Sequence, residues 1–143
     1  MITEDYVSFE TAKLLKEKGF NVPLWFYYDS NEELGLAFWS GWEEDWNNCL
    51  INNEPTPFIS APTHQMVVKW LRREHNLHVF TIPVFEDVEY QPGEWQEEMT
   101  GYRYEIVNIN PNSKIIKDYP KIRALTSESA YEAAIKYCLE NLI

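Results

Sequence analysis

Apolar residues along this chain recur at two periods, one near 3.6 and one near 2, and the switches between them mark the elements. The clearest stretch runs from Ile59 to Phe85, ISAPTHQMVVKWLRREHNLHVFTIPVF. Met66, Val67, Trp70 and Leu71 share one helix face, while Lys69, Arg72 and Arg73 fall on the flanks or the opposite side, the pattern of an amphipathic surface helix. Pro62 suits a first helical turn, and either Ser60 or Thr63 can supply the capping oxygen. Asn76 tolerates the left-handed conformation that closes many helices. Leu77 to Ile82 then reads as a strand by its β-branched and aromatic content, ending where Pro83 removes a ladder donor.

Before this unit, Ser8 caps a helix with Phe9, Ala12 and Leu15 on one face, and Gly19 closes it. Leu24 to Tyr28 is an aromatic strand, Asp29-Ser30-Asn31 is turn chemistry, and Leu34 to Trp39 returns as the second strand of a hairpin. Residues 40–58 break both periods: acids, Asn pairs and two prolines surround Trp42, Trp46 and Leu50, so the stretch reads as an acidic, Trp-rich insert. After the central unit, Glu86 to Glu98 reads as a wet connector that turns at Pro92-Gly93. Tyr102, Tyr104 and Ile106 alternate with Arg103 and Glu105, which predicts a half-buried strand. A turn at Asn110 to Ser113 and a short edge strand at Ile115-Ile116 follow. Ser129-Ala130-Tyr131-Glu132 has the form of a capping box opening a last helix, with Ala134, Ile135, Cys138, Leu139 and Leu142 on its apolar face.

These elements predict a single α+β domain over residues 1–143, with helices at about 8–18, 62–75 and 130–142 packed on an antiparallel sheet of about four strands in the order α-β-β-α-β-β-α. The wording from Lys13 to Phe20 resembles that from Lys69 to Leu77, each followed by a strand, and suggests a duplicated helix-hairpin unit.

Charge narrows the partners. The 143 residues carry a formal charge of −11 and a pI near 4.6. That disfavours nucleic acid and anionic membrane as direct partners, and a basic protein partner fits better. Residues 1–58 hold 3 Lys/Arg against 11 Asp/Glu, residues 59–85 hold 3 against 1, and residues 86–143 hold 6 against 11, so the central helix is the one basic segment. Cys49 and Cys138 make neither a disulfide framework nor a metal pattern, and the N-terminal MITEDYVSFE lacks the features of a signal peptide. The expectation is a soluble cytoplasmic chain with no cofactor.

No residue constellation joins nucleophile, base and electrostatic stabiliser, so the expectation is a non-catalytic interaction protein. His75-x-x-His78 straddles a helix end and a strand start, where two rings need not converge on a metal. His64 falls in a first helical turn and reads as part of the cap. Ser8, Ser60 and Ser129 serve caps, and there is no Gly-rich phosphate loop. Glu97-Glu98 and Glu43-Glu44-Asp45 are neighbours on polar loops, not carboxyls held in different environments. Trp42, Glu43, Glu44, Asp45 and Trp46 join aromatic area to negative charge and form the candidate contact surface, against the reading that both Trp rings face the core. Lys69, Arg72 and Arg73 form the alternative basic face. Two other readings stay open: a small-ligand or carbohydrate-binding module that stacks sugars on Trp39, Trp42 and Trp46, and an acidic DNA mimic that blocks a host protein.

The blocks VSFETAKLLKEKGF, ISAPTHQMVVKWLRREHNLHVF and SESAYEAAIKYCLENLI resemble a family of small uncharacterised proteins from bacteriophages, prophages and mobile elements of Bacteroides-type bacteria. Trp70-Leu71-Arg72 and the preceding Ser60-Ala61-Pro62-Thr63 carry most of that likeness. It implies origin and domain type, and it brings no activity with it.

Overall fold

The Ser8 hydroxyl accepts from the Thr11 amide and opens helix α1, Phe9–Glu17. Thr63 does the same for Met66 at the start of α2, His64–His75, which closes at Asn76 in the left-handed region. Helix α3, Ser127–Asn141, is capped by Thr126. The structure is a computed structural model and describes residues 4–37, 41–110, 112, 120 and 122–143. Between the helices run strands β1 (Phe26–Tyr28), β2 (Leu34–Leu36), β3 (Leu50–Ile51), β4 (Glu54–Pro55), β5 (Ile59–Ser60), β6 (Leu77–Gln91) and β7 (Glu94–Asn108). The protein is α+β, and among the described residues every strand pairing is antiparallel.

The sheet differs from the expected one. Among the described residues there are, in place of one sheet of about four strands, three small ones, ordered β2-β1-β5, β3-β4 and β6-β7. The element order gains three short strands between β2 and α2. Residues 41–58 of the expected insert belong to the body. Trp46 is fully buried, its ring lies against Tyr27 and Phe58, and its indole N–H donates to the Leu24 carbonyl at 2.8 Å. Asn47 ties both sides of it, donating to Phe20 O and accepting from Ser60 N. Trp39 and the Ile115-Ile116 edge strand lie outside the described residues.

Helix packing follows the apolar faces. Ala12 and Leu15 of α1, Val67, Trp70 and Leu71 of α2, and Ala134, Ile135, Cys138 and Leu139 of α3 share one core with Val79, Tyr104 and Ile106 of the long hairpin. The two helix-hairpin units do not share a geometry: α2 runs directly into a 15-residue strand, whereas α1 is followed by a loop and a 3-residue strand.

The connector expected at Glu86–Glu98 is strand. β6 and β7 stay in register from Leu77↔Asn108 out to Gln91↔Glu94, with irregularities at Val84/Phe85 and Glu89/Gln91. Pro83 does not stop β6, because its partner Tyr102 turns its own N–H and C=O away from β6, to Ala124 at 2.8 Å each. The Pro83 nitrogen therefore faces the unpaired edge, and its missing donor costs the ladder nothing. Fifteen residues reach about 50 Å, so the outer half of the hairpin is an arm beyond the helices.

Candidate functional site

The N-terminal segment sets the first site. Val7 N donates to Pro62 O at 3.0 Å and His64 N to Asp5 O at 2.9 Å, around the bridge Tyr6↔Thr63. This brings the start of α1 beside the start of α2, and the first turns of α3 complete the junction. Glu132 lies at its centre. One carboxylate oxygen accepts from Ser8 N at 3.0 Å and from the Thr11 hydroxyl at 2.7 Å. The other lies 2.7 Å from His64 Nε2. Glu132 thus does not return to Ser129, as the capping-box spacing suggested; it caps a different helix, 124 residues away in sequence.

Burial alone would raise the Glu132 carboxyl, but hydrogen bonds from His64, Ser8 and Thr11 outweigh it and hold the group at about 2. Glu132 is therefore ionised at neutral pH and has no proton to give, so His64 donates from Nε2. In the neutral ring this leaves an acceptor lone pair on Nδ1. His64 is 6 % exposed, and its buried Nδ1 has no hydrogen-bond partner among the described residues. The ring lies near-parallel to Tyr131, 25° between planes and 6.4 Å between centroids. His64 and Tyr131 line a cavity of about 320 Å³ with Glu4, Asp5, Ser127 and Glu128. On the α1 side, a more open depression of about 560 Å³ reaches Tyr28 and Lys136. A histidine oriented by a carboxylate is the relation used in general-base dyads, yet no hydroxyl or thiol among the described residues bonds Nδ1. What the arrangement fixes is the orientation of the imidazole, with Nε2 toward Glu132.

The second site is the arm. Residues alternate across a strand, so Phe85, Asp87 and Glu89 of β6 and Met99, Glu97 and Trp95 of β7 lie on the face that Val79 and Ile106 present to the helices further in. Beyond the helices that face is uncovered: Trp95 is 61 % exposed, Phe85 56 % and Met99 51 %. From Phe85 to Met99 there are six carboxylates and no lysine or arginine. Glu86 stands opposite Glu98, and Asp87 opposite Glu97. Like charges directly opposite are destabilising; Arg123 relieves one of the pairs through its contact with Glu86.

The residues expected to form a contact surface are divided by the fold. Trp42 is 63 % exposed and bonds Glu44 through its indole N–H. Glu43 is exposed, Glu44 and Asp45 are half-buried, and Trp46 lies in the core, where it cannot reach a partner. Lys69 and Arg73 line a cavity of about 390 Å³ with Trp70 and Glu74, while Arg72 stands apart from it. His75 packs edge-on to Trp70 and His78 tilts onto Phe80, so the two imidazoles do not converge. Among the described residues no group of three His, Cys, Asp or Glu is placed to hold a metal ion, and no helix is long and apolar enough to cross a membrane. Burial pushes the free Cys138 thiol up to about 12.

Sequence reasoning missed the His64–Glu132 junction because each residue had a sufficient local role, one in a first turn and one in a capping box. The arm was missed because a strand solvated on both faces carries no apolar alternation. The chain matches no family model, no curated protein and no solved structure.

Proposed function

We propose that this chain is a non-catalytic protein-interaction protein that takes a basic partner along the uncovered face of its hairpin arm. The observation that carries the reading is the set Phe85, Met99 and Trp95, exposed on one face with Asp87, Glu89 and Glu97 between them. Aromatic and Met side chains supply contact area, and the surrounding acids steer a positively charged surface toward it. A two-stranded ribbon without a third strand or a helix over it is marginal in water. The outer arm therefore gains cover when a partner lies on it. A basic partner also relieves the opposed pair Asp87 and Glu97.

The test is capture of a partner by wild-type protein and by Phe85→Ala/Trp95→Ala, with thermal unfolding run on the same samples. The arm variant keeps its melting temperature within a few degrees, because both rings are exposed, and loses the partner. Trp42→Ala retains it. A partner held equally by the folded arm variant moves the contact elsewhere, first to the Trp42, Glu43 surface and then to Lys69 and Arg73. The paired acids also favour a narrower reading, mimicry of DNA toward a nucleic-acid-binding protein. In that case duplex DNA competes with the chain for the captured partner.

A further inference from the structure

We propose that the basic surface taken by the arm is the exposed flank of helix α2 on a second copy of this chain, whose own arm lies on the first copy's flank in return. This deepens the reading of a basic partner and rests on it for the arm's half of the contact; the other half comes from the same sequence.

Helix α2 leaves one row uncovered. Met66, Lys69 and Arg73, at spacings of three and four, share a helix face and are exposed. They line a cavity of about 390 Å³ with Val22, Pro23 and Trp70. Met66 also borders a neighbouring hollow of about 460 Å³ that reaches Trp25, itself 38 % exposed. Among the described residues Lys69 and Arg73 have no ion-pair partner, in a chain of net charge −11, and Glu74 is the one carboxylate in the cavity wall. The flank thus joins apolar area to unneutralised positive charge, the complement of the arm's aromatic area and crowded carboxylates.

The two surfaces match in order as well as in sign. The rungs of the uncovered arm face are Phe85 with Met99, Asp87 with Glu97, and Glu89 with Trp95, about 7 Å apart. On α2, Lys69 and Arg73 are about 6 Å apart along the axis, and Met66 precedes Lys69 by three residues. With the arm laid parallel to α2, the first rung meets Met66 and the second brings its opposed carboxylates to Lys69. The third gives Arg73 the face of Trp95 and an ion pair with Glu89, whose carboxylate also holds Gly93 N. A two-fold pair makes this contact twice and leaves neither arm nor flank open, so it closes at two copies. The net charge of each copy opposes approach, but at physiological salt that field is screened beyond about 8 Å, and the groups in contact decide the outcome.

The experiment measures the mass of the full chain by sedimentation equilibrium from micromolar to near-millimolar concentration. Wild type is expected to reach twice the 17.0 kDa of one chain. Asp87→Lys/Glu97→Lys sets a basic arm against a basic flank, and Lys69→Glu sets an acidic flank against an acidic arm. Each reversal occurs twice in a two-fold pair, so each variant alone should pair about a hundredfold or more weakly through like-charge contact. All three positions are exposed, and both variants keep their fold. Mixed one to one, the variants pair again, because the reversed arm of one meets the reversed flank of the other and the two native surfaces meet in return; a loss through misfolding would not be reversed by mixing. A wild-type chain that stays at 17.0 kDa throughout, a pair that persists undiminished in either variant alone, or a mixture that stays monomeric overturns the proposal. A monomeric wild type that still captures a separate partner, lost in Phe85→Ala/Trp95→Ala, overturns the second copy as occupant while the arm reading stands, so the two fail separately.

Discussion

Replacing Glu132 by glutamine tests whether the three-helix junction is held by charge. A carboxyl that ionises at about 2 when folded, against 4.5 for the free group, contributes on the order of 3 kcal/mol at neutral pH, since each tenfold in proton affinity is about 1.4 kcal/mol. One flank of the side chain stays in water, 26 % exposed, which trims the figure to about 2 kcal/mol. The sign follows from the depressed value: this stability is present above pH 4.5 and is lost as pH falls from 4.5 toward 2. Glu132→Gln keeps an amide oxygen for Ser8 N and Thr11 but loses the charge. It should melt about 5 to 8 °C below wild type at pH 7. Urea unfolding at a series of pH values from 7 to 2 reads the rest, because the gap between the two proteins should close across the acid range. A glutamine variant within about 0.5 kcal/mol of wild type at pH 7, or a gap that persists unchanged at pH 2, would refute the electrostatic account.

Two further substitutions probe the rest of the frame. Trp46→Ala empties a fully buried position and breaks the indole bond to Leu24, so it should cost about 3 to 5 kcal/mol in denaturant unfolding, whereas exposed Trp42→Ala should stay within about 0.5 kcal/mol. Gly101 has φ +155, and a Cβ there would stand 2.6 Å from the Ala124 carbonyl; Gly101→Ala should cost more than about 1 kcal/mol and speed hydrogen exchange at the Tyr102 and Ala124 amides, which bond across that contact.

Helix positions were legible because their signals are local. Ser8, Thr63 and Asn76 act through neighbours within five residues, and one apolar face per helix is enough to seat each on the core. The turn at Pro92-Gly93 was legible for the same reason, with Gly93 at φ +81 where the Pro-Gly pattern of a type II turn requires it. What escaped depends on distant partners. Trp46 sits among acids and asparagines, so its surroundings in sequence read as surface; its burial is decided by Tyr27, Phe58 and Leu24. Glu132 matched a capping box at Ser129, but Thr126 capped the helix one turn earlier and left the carboxylate for Ser8, Thr11 and His64. At the arm, period-2 alternation fails because no residue from Phe85 to Met99 is fully buried, and pairing there is set by the turn and by continuity with the buried rungs below.

The acids of this chain therefore divide by how completely their bonds are met, and under the proposed function that division decides which of them meet the partner. Glu132 is fully engaged inside the junction, and a ligand could reach its oxygens only by displacing His64, Ser8 or Thr11. Asp87 and Glu97 face each other on the exposed ribbon, and Glu4, Asp5 and Glu128 line a cavity beside the junction. Charge held in repulsion gains from an incoming cation, whereas charge already neutralised by three donors does not. Under the proposed function, recognition of a basic surface falls to the arm face, and the salt dependence of binding should follow substitutions there and be indifferent to Glu132 in any variant that remains folded.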